Sequence, residues 1–480
     1  MADGTTLVDL LDRAAADHPQ RPAWTFDLPG DRQRLTYADV AERSRRLASA
    51  LSARGVAAGD RVGVMLGNTP EMPLTWLALM RLGAAMVPLN PRYRRDDVAH
   101  LLTDAAVRLV VARPEHHELL TAYATVVGPD ELADQGAEDL PAPVLTPGTV
   151  VNVQYTSGTT GRPKGCLLDH AYWTTLGGSM LTEHPHLTSD DVLLTAQPFH
   201  YVDPQWNVVA ALMAGAHLVV LDGFHPSTFW SKVREHEVTY FYCLASMPVL
   251  LLKMPADPAD RDHRVRAVQC SAIPPALHAA LEERWGVPWT EAFGMTETGA
   301  DIRVGAEEHD DLVGSGSLGR PAAHREARID ETGQLWLRGP GMMQGYLGHP
   351  SPFDEDGWFP TGDLARTDDA GRLYLAGRLK DMIRRSGENV AAVEVEEVLL
   401  AHPAVHLAAV IGVPDEVRGE EVAAYVVAPE ATAEELSSWC AERLAGFKVP
   451  SIWRFRDELP LTASLRVEKA ALRAEAQGAR

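Results

Sequence analysis

From Arg61 onward the chain alternates short apolar runs with longer amphipathic ones, and this alternation restricts the fold more than any other feature. RVGVML, PEMPLTWLALMRLG, AAMVPL, RRDDVAHLLTD and VRLVVA succeed one another with the lengths and periods of strand, helix, strand, helix, strand. That order returns each strand beside its predecessor through a helix, which predicts a parallel sheet with helices on its faces. A second series follows in DVLLTA, WNVVAALMAG, HLVVLDG, PSTFWSKVREH, VTYFYCLA, VRAVQCS and PPALHAALEERWG. The expected fold class is α/β, with two βα-layered subdomains. After about Gly314 the texture changes to short β-like pieces with glycine turns, ARIDETGQLWLRGPG and GRLYLAGR, which predict a small β subdomain. From Asp381, strand-like LAAVIGV and EVAAYVVA mix with helix-like VEVEEVLLAH and AEELSSWCAERL. They predict a compact α+β unit of about a hundred residues, with ALRAEAQGAR as a frayed tail.

Charge narrows the partners. With 44 basic and 66 acidic residues the 480-residue chain carries a formal −22, so its average surface repels nucleic acid and anionic lipid. A phosphate-bearing ligand therefore needs a local site. The four cysteines, Cys166, Cys243, Cys270 and Cys440, match neither a metal spacing nor a disulfide framework, which fits a reducing cytoplasm. No basic, apolar leader opens the sequence, and the most apolar window, Val208 to Leu221, is too short to span a bilayer. That window reads as a buried helix followed by a buried strand.

The stretch TSGTTGRPKG follows the apolar run VVNVQY, at a strand end where α/β sheets place ligands. It is not a Walker A loop, because Pro163 precedes Lys164 and Gly165 follows it. Backbone N–H groups freed by Gly158 and Gly161, the hydroxyls of Thr156, Ser157, Thr159 and Thr160, and the Lys164 ammonium can still form a cradle for an anion.

With its flanks, YTSGTTGRPKG resembles the phosphate loop of the adenylate-forming superfamily, which includes the acyl-CoA synthetases. EAFGMTET resembles that family's aromatic-Gly-x-Thr-Glu segment. The resemblance implies that Ala292, Phe293, Gly294 and Met295 hold the nucleotide, with Phe293 stacked on adenine, and that Thr296 and Glu297 serve catalysis, with Glu297 binding Mg²⁺. GWFPTGDL resembles the family's next segment, and the resemblance implies that Asp363 accepts from both ribose hydroxyls, a task that suits the two acceptor oxygens of a carboxylate. GRLKDMIRRSGENV implies that Arg378 reaches the ribose and that Lys380 and Asp381 form a hinge between domains 1–379 and 380–480, the second being mobile. Arg385, Ser386, Gly387 and Glu388 would line the coenzyme A channel, and QPFHYVDPQ would set His200 near the acyl carboxylate and that channel. For the acyl-CoA ligase branch, the resemblance implies a cytoplasmic enzyme that takes a small carboxylic acid, ATP, Mg²⁺ and coenzyme A.

Two motifs depart from the family. Its tail reads approximately LPxTxTGKVxK, with a catalytic lysine after the glycine, whereas this chain has LPLTASLRVEK. Leu465 replaces the glycine and Arg466 the catalytic lysine, while Lys469 falls on the second, noncatalytic one. A planar guanidinium is not a substitute for a point-like ammonium. CSAIPPAL, in turn, stands where the family has a Gly-Gly-Ala-Pro run, so that Cys270 and Ser271 either reshape the acyl pocket or pack the core. Three readings stay open at this level. The chain is a complete acyl-CoA ligase, a ligase that only converts an acyl-adenylate supplied by a separate adenylating enzyme, or a noncatalytic acyl-adenylate or nucleotide-binding protein.

Overall fold

The computed structural model describes residues 5–133, 143–156, 163–244, 246–386, 388–415, 417–462 and 466–478. Among them the first βα series forms a six-stranded sheet in the order Thr125–Val127, Leu109–Ala112, Arg61–Met65, Ala85–Pro88, Val150–Thr156 and Lys164–Asp169. Every pairing is parallel except the last, an antiparallel hairpin that places Thr156 opposite Lys164. The hairpin's intervening residues 157–162 include Ser157, Gly158, Thr159 and Thr160 and lie outside the described residues.

The second series gives the parallel run His217–Leu221, Val192–Thr195, Tyr240–Leu244, Ala267–Ser271 and Trp289–Met295. Both ends of this sheet extend beyond what periodicity foretold. At one end Pro22–Leu28 pairs parallel with His217–Leu221 and carries Asp31–Thr36 as an antiparallel edge. At the other, the glycine-turn strands continue the same sheet, starting with Gly299–Arg303 and not after Gly314. Val202–Ala214 is the expected buried helix, ended by Gly215 at φ +69°, and the buried strand follows it. No helix among the described residues is long and apolar enough to cross a membrane.

From Met382 a third sheet, Glu388–Ala391, Met382–Arg385, Gly419–Val427 and Leu407–Asp415, closes on its own apolar cluster, which contains Val395, Leu399 and Leu436. Lys380 and Asp381 sit in the short 3₁₀ turn Leu379–Asp381 that links the second sheet to the third. The expected frayed tail is instead the helix Lys469–Gly478. Leu472 buries itself against Ile411 and Tyr425, Lys469 pairs with Glu396 at 2.7 Å, and Arg473 pairs with Asp381 at 2.6 Å. Burial of one apolar side chain and two anchored cations outweighs the polar composition that suggested fraying.

Candidate active site

The strand Val150–Thr156 ends at Thr156 and its partner starts at Lys164, so both side chains emerge at the open end of one hairpin. Glu297, just past the strand Trp289–Met295, faces them. Its Oε1 accepts from the Thr156 hydroxyl at 3.3 Å and from the Tyr346 hydroxyl at 3.1 Å. Lys164 Nζ lies 5.3 Å from the centre of the Tyr346 ring, close enough for a cation–π contact. Burial and the adjacent Glu297 charge push the Tyr346 phenol well above its ordinary range, so it remains a hydrogen-bond donor. Tyr346 escaped the sequence reading because nothing in QGYLG marks it.

A cavity of about 610 Å³ opens beside this group. Its wall includes Thr156, Ala292, Phe293, Gly294, Met295, Thr296, Glu297, Arg378 and Arg466. Gly294 is obligatory in that wall, since a Cβ there would lie 2.1 Å from the Gly299 carbonyl oxygen. Behind Arg378, Asp363 is almost wholly buried at 1% exposure. Its Oδ1 accepts from Arg378 Nε at 2.7 Å, whereas its buried Oδ2 has no partner among the described residues. Burial raises the Asp363 pKa against the opposing fields of Arg378, Arg466 and Lys380. An orphaned buried acceptor is costly, and a ligand hydroxyl is the kind of group that would satisfy it.

Arg466 enters the cavity wall with Leu461 and Thr462, and the turn is closed by the Thr462 N–H to Arg466 carbonyl bond at 2.8 Å. Its positive charge acts on both Asp203 and Asp363. Residues 463–465 of this turn lie outside the described residues.

Other expected site residues stand apart from the cavity. His200 is buried, its ring tilted against Tyr201 with centroids 4.5 Å apart, and its Nε2 has no partner among the described residues. Burial, helped by Arg92, pushes it down to about 3, so it is neutral at physiological pH. Its neighbours Tyr201, Asp203 and Trp206 line the cavity in its place. Arg385 is buried in the third sheet, paired with Glu421 at 2.8 Å and donating to the Phe447 carbonyl at 2.8 Å. Ser386 has φ +53° and Glu388 is exposed, and neither lines the cavity; Gly387 is outside the described residues.

The CSAIPPAL stretch divides by role. Cys270 is fully buried in the core of the second sheet, whereas Ser271 reaches the cavity wall, 2.5 Å from both the Tyr242 hydroxyl and the Ala292 carbonyl oxygen. Ala272 next to it has φ +67°, and its N–H and that of Ile273 bond the two oxygens of buried Glu291 at 2.6 and 2.8 Å. A left-handed alanine is strained by roughly 1–2 kcal/mol, partly offset by the entropy a glycine would lose on folding. Ala272→Gly is accordingly expected to stabilise the protein by about 1 kcal/mol or less; denaturant unfolding checks this, and a loss of stability would show that the methyl group packs favourably.

A model of the AMP-binding enzyme family matches residues 11–347, and one of the AMP-binding enzyme C-terminal domain matches residues 394–466. The chain is 31% identical over 520 residues to a crotonobetaine/carnitine–CoA ligase of Citrobacter koseri, covering 98% of this chain and 99% of that one. It is 34% identical over 468 residues to a feruloyl-CoA synthase of an Amycolatopsis species, covering 92% and 93%. Among solved structures it resembles the o-succinylbenzoate CoA synthetase of Bacillus subtilis in complex with its acyl-adenylate, with TM-score 0.88, 28% identity and 98% of each chain covered. The same synthetase has also been solved with ATP and a magnesium ion.

Proposed function

Because the chain belongs to the AMP-binding enzyme family, in its acyl-CoA synthetase branch, and is an AMP-forming acyl-CoA ligase, we propose that one cavity performs both half-reactions, with Arg466 at the place of the usual lysine. A carboxylate oxygen attacks the α-phosphorus of ATP and pyrophosphate leaves. The coenzyme A thiolate then attacks the acyl carbonyl, and AMP leaves. The observation that carries this reading is that four stretches far apart in sequence supply the wall of one cavity: Thr156, opposite Lys164 in its hairpin, Phe293 to Glu297, Arg378, which pairs with the buried Asp363, and Arg466.

In this reading Lys164 and the hydroxyl-rich TSGTTG stretch before it hold phosphate oxygens, Phe293 stacks on adenine, and the unpartnered Asp363 Oδ2 accepts from a ribose hydroxyl that Arg378 helps to orient. Glu297 fits a magnesium ion. Its Oε1 is held by two neutral donors and its Oε2 has no donor among the described residues. One hard carboxylate together with nucleotide phosphates and water is a usual Mg²⁺ environment. When bound, the ion would offset phosphate charge as pyrophosphate departs.

The Arg385–Glu388 hairpin stands outside the cavity that Arg466 borders. A swing about Lys380 and Asp381 would exchange the two for the thioester step, with Asp381 leaving or keeping its pair with Arg473 as the turn moves. His200, buried and neutral, then acts by shaping the wall that Tyr201 completes.

The deciding test measures carboxylate-dependent ATP–pyrophosphate exchange beside thioester formation from synthetic acyl-adenylates. Both activities together support a complete ligase. Thioester without exchange means that another enzyme supplies the adenylate, and neither activity overturns the ligation proposal. Arg466→Lys restores a compact ammonium and is expected to raise exchange by about tenfold or more, since one well-aimed transition-state donor is worth roughly a hundredfold. An unchanged exchange rate would remove Arg466 from the adenylation step.

A further inference from the structure

The acyl end of the cavity holds a carboxylate that neither half-reaction requires. Asp203 stands in the first turn of the helix Val202–Ala214 and lines the cavity. Protein surrounds it on every side, yet it retains intermediate exposure, so its free surface opens into the cavity. Its position is rigidly set. Gln154 Nε2 donates to the His200 carbonyl at 2.7 Å, Gln205 donates to the Phe199 carbonyl at 2.9 Å, and Asn207 donates to the Asp203 carbonyl at 2.7 Å.

Burial raises the Asp203 pKa against the field of Arg466, and no ion pair reaches its carboxylate among the described residues. A carboxylate has about four acceptor positions, so part of its capacity remains for a ligand. Aromatic groups border the same region. Trp206 and Tyr242 meet edge to face with centroids 5.4 Å apart, and Tyr172 and Tyr201 complete the wall. A carboxylate among aromatic rings favours a cation and opposes a second carboxylate. Of the arginines in the cavity wall, Arg303 donates to the Ser179 and His184 carbonyls and the Ser179 hydroxyl and so is engaged by the end of a helix, Arg378 pairs with Asp363, and Arg92 and Arg466 complete the set.

We propose that Asp203 is the specificity-determining residue of the acyl pocket and that the acid ligated here carries a cationic nitrogen on its acyl group. This rests on the ligase reading above. The test uses sets of acids with one spacer, aliphatic or aryl, ending in a trimethylammonio, a tert-butyl or a carboxylate group, each supplied both as free acid with ATP and as synthetic acyl-adenylate. The ammonium member is expected to exceed its tert-butyl isostere in kcat/KM by on the order of tenfold. In Asp203→Asn the ratio falls to about one, while Asp203→Glu keeps its direction. Preference for the tert-butyl or carboxylate member in the wild type, or a ratio unmoved by Asp203→Asn, overturns the assignment while leaving ligation intact. The wild-type ratio decides alone should Asp203→Asn not fold. Absence of thioester from every acid and every adenylate would instead overturn the ligase reading, and this assignment with it.

Discussion

Glu297→Gln is expected to cut ATP–pyrophosphate exchange by about a thousandfold in a protein that melts where the wild type does. The substitution preserves shape and leaves an amide oxygen for the Thr156 and Tyr346 hydroxyls, so the local hydrogen bonds survive. What is lost is the negative charge that would hold a divalent cation against the departing pyrophosphate, a contribution comparable to or larger than that of one transition-state donor. The defect should soften as Mg²⁺ is raised, while thioester formation from a ready-made adenylate falls far less. Exchange within about threefold of wild type at ordinary Mg²⁺ would remove Glu297 from the metal role.

Asp363→Ala is expected to weaken use of both ATP and a synthetic acyl-adenylate by about a hundredfold in kcat/KM, because it removes the carboxylate proposed to accept from the shared ribose. Stability should move in another direction. The wild-type protein buries a carboxylate whose Oδ2 has no partner, and the Arg378 side chain it would leave behind is 40% exposed and able to hydrate. Removing an orphaned buried acceptor costs the empty protein little and can stabilise it, a trade common at sites shaped for a ligand. Calorimetric melting with and without AMP separates the effects: the empty variant melts near or above wild type, and the upward shift caused by AMP shrinks. An unaltered AMP shift would mean that Asp363 does not touch the nucleotide.

The fold is most legible in the sequence where period and motif reinforce each other. The strands around Arg61–Met65 and Val192–Thr195 were legible because buried parallel strands are continuous apolar runs of fixed length. The edge hairpin of Pro22–Thr36 was missed, since alternation is weak in DRQRLT, yet Thr36 with Asp39 forms a capping box that could have marked the start of the next helix. At the site, Glu297, Asp363, Arg378 and Arg466 were named from motifs and the fold brings them near one cavity. Tyr346 and Asp203 were not singled out, because each gains its place only from a contact between segments distant in the chain. His200 was named as a pocket residue, but its turn directs Tyr201 and Asp203 to the cavity and the imidazole into the core. The tail was misread because composition cannot register a single leucine with a waiting cleft.

Among the described residues the strand Pro22–Leu28 finds its parallel partner in His217–Leu221. During synthesis the ribosome therefore releases the first strand long before the edge that will receive it. Until residue 221 has emerged, this apolar strand has its hairpin mate and the helices Leu7–Asp17 and Tyr37–Ser52 to cover it but lacks its parallel neighbour. The large domain is thus completed only when an early strand meets a late one, a long-range pairing of the kind that slows folding.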